Sequence, residues 1–233
     1  MRALLEKSNR FLDIPLDLRP RLLLIVAAVL LIGVYVFPLW NMTMFAPQYP
    51  DGLRLDIYSY KLVGGNGGQD ITEINVLNHY IGMRDLVAED FTEFKWLPFA
   101  AGAMALLALR AAVLGRMASL LDVLVLFSYF AAFSLWSFGY RMWSYGHNLA
   151  PTASVKVDPF MPPMFGHKQL ANFEVYSYPA LGSYLMAAAA LLMAGALVLG
   201  WWEWQRAAGS GQPAAGSRQP AVGSRSRVTG SEP

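Results

Sequence analysis

Four stretches of the chain run almost without charge, each about as long as a lipid hydrocarbon core is thick. The first, 22–40 ("LLLIVAAVLLIGVYVFPLW"), holds 19 uncharged residues, close to the roughly 20 needed to cross a bilayer as a helix. The others are 96–115, 122–140 and 179–202. Arg110 lies near enough to the end of the second to reach headgroups. Pro98 and Pro179 fall where first helical turns are expected, and a missing N–H costs little there. Trp40, Trp96, Trp143, Trp201 and Trp202 mark the span ends, as an aromatic belt requires. The first span follows a basic segment, 1–21, as in a signal peptide. It exceeds the usual ~7–15-residue apolar region and lacks a small-residue cleavage site, so it reads as an uncleaved anchor. The pattern predicts a mainly α membrane protein with four transmembrane helices.

Two longer polar segments, 41–95 and 141–178, separate the spans. "NMTMFAPQYPDG" is turn-rich, and Leu53 to Val63 alternates as a strand does. "GGNGG" (64–68) reads as a turn; without a following Lys-Ser/Thr or a βαβ setting it is not a phosphate loop. Asp70 and Glu73 have the spacing of a capping box. A short helix would follow, with Ile71, Ile74, Asn78 and Ile81 on one face and Gly82 as its stop. His79 then falls in its last turn and Met83 just beyond it. The expectation is a small α/β external domain formed by the 1–2 and 3–4 loops.

Charge sets the expected orientation. The N-terminal segment, the turn carrying Arg110 and Arg116, and the tail together hold 11 basic and 6 acidic residues, against 7 and 10 in the long loops. The positive-inside bias predicts both termini in the cytoplasm of a bacterial inner membrane and both loops in the periplasm. Residues 205–233, with the tandem "QPAAGSR" and "QPAVGSR", read as a disordered cytoplasmic tail. A net charge of +2 gives no reason to expect a nucleic-acid partner. The chain has no cysteine, which removes disulfides, iron–sulfur clusters, thiolate zinc sites and covalent haem. No span contains histidine, so haem held between helices is not expected either. No nucleophile motif joins the external Ser, His and Asp residues, and the acidic run Asp85, Glu89, Asp90 and Glu93 reads as a solvated face. An enzyme is not expected.

The candidate chemistry lies in the loops. All three histidines (His79, His147 and His167) are there, and so are Met83, Met161 and Met164. Imidazole and thioether without thiolate suit copper, Cu(I) above all. The candidate metal ligands are His79, Met83, His147, Met161 and Met164, and they require the two loops to converge. The alternative for each is structural: methionines fill irregular cores, loop histidines make hydrogen bonds, and Met42 and Met44 lie at the membrane interface.

The ordered phrases "FAPQYPDGLRLDIY", "INVLNHYIGM", "EFKWLPF", "YGHNLAP" and "PPMFGHKQLANFEVYSYP" carry a resemblance. Over about residues 20–205 the chain resembles small four-helix inner-membrane proteins of unassigned function, often encoded beside nitrous oxide reductase maturation proteins in Gram-negative bacteria. The matching positions are Asn78, His79, Tyr80, Gly82 and Met83, then Tyr145, Gly146, His147 and Asn148, with Pro162, Pro163 and Gly166. The resemblance implies an accessory role in denitrification: maturation of, or electron supply to, a copper enzyme, with a periplasmic or membrane protein of that system as partner. A scaffold subunit of a membrane redox or energy-transducing complex, without metal, is the competing expectation.

Overall fold

The structure is a computed structural model that describes residues 11–170 and 172–209. The basic residues through Arg10 and the tail from residue 210 lie outside the described residues. The elements run α1 (Leu18–Ile32), β1 (Trp40–Ala46), β2 (Tyr49–Ile57), β3 (Leu62–Gly64), α2 (Gln69–Tyr80), α3 (Glu93–Leu114), α4 (Met117–His147), β4 (Gly166–Leu170), β5 (Phe173–Pro179) and α5 (Leu181–Gly209). α1, α3, α4 and α5 are long and apolar enough to cross a membrane.

These four form an antiparallel bundle in which α1 packs mainly against α3 and α5, and α4 bridges α3 and α5. Alanines make the close approaches: Ala27 and Ala28 of α1, Ala105, Ala108 and Ala112 of α3, and Ala189 and Ala196 of α5 are all buried. Small side chains at such seams let helix backbones come together where lipid supplies no hydrophobic drive. Facing outward are Phe99 and Val113, each 79% exposed, and Leu191 at 73%, a surface compatible with acyl chains. At the end carrying the α3–α4 turn, Pro15 bridges to Arg116, and the Leu16 N–H donates to the Gly115 carbonyl at 2.8 Å.

At the opposite end the two polar segments form one sheet, ordered β3-β2-β1-β5-β4 and antiparallel throughout. The packed pair α1 and α5 continues directly into the paired strands β1 and β5. Trp40 lies opposite Pro179, the Ala180 N–H donates to the Leu39 carbonyl at 2.9 Å, and the Gly182 N–H to the Pro38 carbonyl at 2.8 Å. One face of the sheet buries Met42, Met44, Leu53, Leu55, Phe173 and Val175 against Ile74, Leu77 and Ile81 of the α2 region and Met142 of α4.

Several boundaries differ from those the sequence suggests. The first apolar run does not stay helical to Trp40: after a 3₁₀ turn at Gly33–Tyr35, Pro38 can donate no hydrogen bond, and Trp40 begins β1. The segment read as turn-rich is therefore the central strand, with Met42, Met44 and Ala46 alternately buried. α4 runs seven residues past Tyr140, to His147, because Met142, Ser144 and Tyr145 bury one side of it under the sheet. Pro98 lies in the second turn of α3, and Pro179 closes β5 rather than opening α5. Residues 205–209, assigned to the tail, extend α5.

The capping box does not form. Gly68 is the N-cap residue of α2. The buried Asp70 carboxylate instead accepts the Arg54 backbone N–H and the Asn66 amide, both at 2.8 Å. Glu73 accepts the Tyr49 hydroxyl.

Candidate functional site

The two polar segments converge, and backbone does most of the joining. The Ala150 N–H donates to the Gly82 carbonyl at 2.7 Å, and the Val155 N–H to the Tyr80 carbonyl at 3.0 Å. The Arg84 guanidinium donates to the Ser144 hydroxyl at 3.0 Å and lies 5.1 Å from the centre of the Tyr145 ring.

"NHYIGM" is first of all a helix terminus. The Met83 N–H donates to the Asn78 carbonyl at 2.8 Å and the Gly82 N–H to the His79 carbonyl at 3.2 Å, with Gly82 at φ +79°. This is the paired 6→1 and 5→2 bonding that ends a helix through a left-handed glycine. The side chain of Met83 then turns into the apolar cluster under the sheet, as the residue after such a glycine commonly does. Gly82 also takes the second loop at close range, since a Cβ there would stand 2.9 Å from the Ala150 carbonyl oxygen.

The five expected ligands are distributed as follows. His79 is exposed at the end of α2. His147 ends α4, its ring stacked on Trp143 with centroids 4.5 Å apart, and its Nδ1 lies 3.0 Å from the Trp143 carbonyl oxygen. A carbonyl can only accept, so Nδ1 donates, and in the tautomer this selects the lone pair is on Nε2. A backbone carbonyl orients many metal-binding histidines in this way. His147 is the last rung of a stacked ladder on α4 that includes Trp136, Tyr140 and Trp143. Met161 is exposed, and its carbonyl accepts from Lys168 at 3.1 Å. Met164 packs against the cluster that holds Met83, with its sulfur against Gly139. Its carbonyl accepts from Ser177, whose hydroxyl in turn receives the Trp40 indole N–H at 2.8 Å. Met83 and Met164 thus share one apolar cluster. No hydrogen bond or ring contact joins His79 to His147 among the described residues. No group of three or more His, Asp or Glu gathers as a metal ligand set among those residues either.

The structure brings together a different set of methionines. Met42, Met44, Met83 and Met142 line one small space of about 40 Å³ beneath the sheet, with Asn78 and Tyr145 as polar neighbours. Of these, only Met83 was in the sequence-derived set. The period-2 spacing of "NMTM" carried the signal for a shared face, but Met142 joins only because α4 continues past the apolar span.

The opposite face of the sheet is polar and aromatic. Strand register puts Thr43, Arg54, Tyr176 and His167 in one row across it. His167 stacks on Tyr176 with centroids 5.5 Å apart, and Phe45 meets Tyr176 edge-on at 5.6 Å. Glu174 holds the phenol of Tyr176 above its ordinary range by accepting its hydrogen bond, and Glu73 does the same for Tyr49. Compared with protein families, curated proteins and solved structures, the chain matches none.

Proposed function

We propose that this protein is a polytopic accessory protein of a bacterial inner membrane. It supports maturation of, or electron supply to, a periplasmic copper enzyme of the nitrous oxide reductase type, by docking a protein of that system. The observation that carries docking is the outer face of the sheet. Tyr176, Tyr178, His167, Phe45 and Arg54 share a face on which all but the half-buried Tyr176 are exposed, and protein interfaces are enriched in aromatics and Arg. The copper-enzyme context comes from the sequence resemblance. The orientation, with termini in the cytoplasm and the sheet in the periplasm, is supported by the basic bias of the opposite end.

The test is genetic and biochemical together. In a strain lacking the chain, the periplasmic nitrous oxide reductase is expected to be under-loaded with copper or starved of electrons. Complementation with Tyr176→Ala and Arg54→Glu together is expected to fail, although the variant still reaches the membrane. An enzyme with full copper and full activity in the deletion strain would sink the reading.

A second reading, copper held by the chain itself, is favoured by a separate observation: four methionines line one small space, a residue type whose soft thioether suits Cu(I). His147, with the lone pair on Nε2, and His79 remain the imidazole candidates. Titrating Cu(I) into the purified protein separates the sites. Met83→Leu with Met142→Leu abolishes stoichiometric binding at the methionine-lined space, whereas His79→Ala with His147→Ala abolishes it at an imidazole site. No stoichiometric copper in the parent protein leaves the metal-free scaffold.

A further inference from the structure

A second, larger cavity lies lower in the molecule, among the membrane-length helices at their sheet end. Its volume is about 400 Å³, within the roughly 300–1,000 Å³ of small-molecule sites. α1 and its 3₁₀ extension stop at Tyr35, whereas α3, α4 and α5 all reach the sheet end. α1 contributes no residue to the cavity wall. Three helices line it, and Leu39 and Trp40 close it on the way into β1. Ala131 of α4 with Ala187 and Ala190 of α5 keep the walls apart.

The lining has two characters. Most of it is apolar, and much of that is aromatic, including Trp40, Phe94, Trp96 and Phe138. Trp40 and Phe138 are in ring contact, their centroids 5.0 Å apart. The polar end is an ion pair: the Arg141 guanidinium donates to Glu93 Oε2 at 2.8 Å, the side chains being 19% and 16% exposed. Ser137 donates to the other carboxylate oxygen at 2.7 Å. A guanidinium has five N–H groups, and the pair engages one NH₂ of Arg141, so donors remain for a ligand oxygen.

We infer that this cavity binds a lipid-soluble quinone, with the ring against the aromatic wall and one ring oxygen toward Arg141 and Glu93. The chemistry at the polar end selects the headgroup. Arg141 is already neutralised by Glu93, so the end carries no net charge to attract a phosphate, and an uncharged headgroup is favoured over a phospholipid. A donor and an acceptor side by side match a ring that carries carbonyl oxygens when oxidised and hydroxyls when reduced. Flat side chains offer offset stacking to a planar ring, which a saturated acyl chain does not use. The remaining apolar wall, on helices that face lipid, suits an isoprenoid tail. The inference depends on neither the copper reading nor the docking reading.

The experiment titrates decylubiquinone and menadione into the detergent-purified full chain and follows tryptophan fluorescence, since Trp40 and Trp96 line the cavity. Saturable quenching at about one quinone per chain is expected. Ala187→Phe, which fills the cavity from α5, is expected to weaken binding at least tenfold while the protein still melts cooperatively. Ala131→Phe, filling it from α4, serves as the second variant where the first fails to fold. Dodecanol and lysophosphatidylglycerol, which have chains but no ring, are expected not to displace the quinone at equal concentration. Non-saturating quenching that is the same in the parent and a folded cavity-filled variant overturns the inference. Equal displacement by the ringless amphiphiles also overturns it and assigns the cavity to lipid.

Discussion

Two glycines allow close backbone approaches around the polar segments, Gly82 between the two segments and Gly146 within the second, and each tolerates no side chain for a different reason. At Gly146 a Cβ would collide with the Phe160 carbonyl oxygen, and the Phe160 N–H donates to the Gly146 carbonyl at 3.0 Å. Gly146→Ala is expected to lower stability by about 1–3 kcal/mol, the usual cost of overpacking, read as a lower melting temperature in detergent. Gly82→Ala adds left-handed strain at φ +79° to a 2.9 Å approach and is expected to cost at least ~1 kcal/mol. His79→Ala, at an exposed site, is expected to stay within about ±0.5 kcal/mol. A large loss there would show that the imidazole has a structural partner. The histidine of "NHYIGM" therefore differs from its neighbours. Asn78, Gly82, Met83, Tyr145 and Gly146 are used in packing and chain reversal, whereas His79 projects into solvent.

At the scale of elements, the polar ties of the sheet domain replace what local signals would have supplied. Asp70 is the clearest case. The residue chosen for a capping box is only 3% exposed, and it holds the β2 backbone at Arg54 to α2. Asp70→Ala would leave that N–H without its acceptor and is expected to cost about 1–3 kcal/mol, measurable by denaturant titration. The Tyr49–Glu73 bond ties β2 to the same helix and gives a pH signature. A phenol raised above its unfolded value contributes stability fully present below the ordinary tyrosine range. That stability is lost as pH rises through the raised folded value. Ultraviolet titration of phenolate should show Tyr49 ionising above its ordinary range, and Glu73→Gln should remove the delay.

For the whole molecule, β5 runs into α5 across Ala180 alone and α4 continues under the sheet as far as His147, so the sheet is rigidly mounted on the bundle. Melting followed at the sheet and at the bundle is therefore expected to be a single transition. Two separate transitions would show that this mount does not couple them. The absence of cysteine in the chain makes orientation directly testable. Thr152→Cys, on an exposed loop residue, is expected to react with a membrane-impermeant maleimide added to intact spheroplasts. Ser224→Cys is expected to react only after lysis. The reverse pattern would invert the proposed topology.

The sequence alone determined the four membrane-length apolar helices, because a run of some 20 uncharged residues has few other stable settings. It also determined the end of α2, because a glycine in left-handed geometry leaves a local signature in "YIGM". It did not determine the central strand. Residues 40–46 are a strand by virtue of two partners, one 15 residues away at Asp56 and the other at Tyr178, and pairing over that second distance has no local code. The candidate site divides in the same way. The residue types were legible, but which methionines share a space depended on α4 reaching under the sheet and on Met42 and Met44 facing inward. The larger cavity was invisible in the sequence. It lies among α3, α4 and α5, and a void between helices is a property of their packing alone.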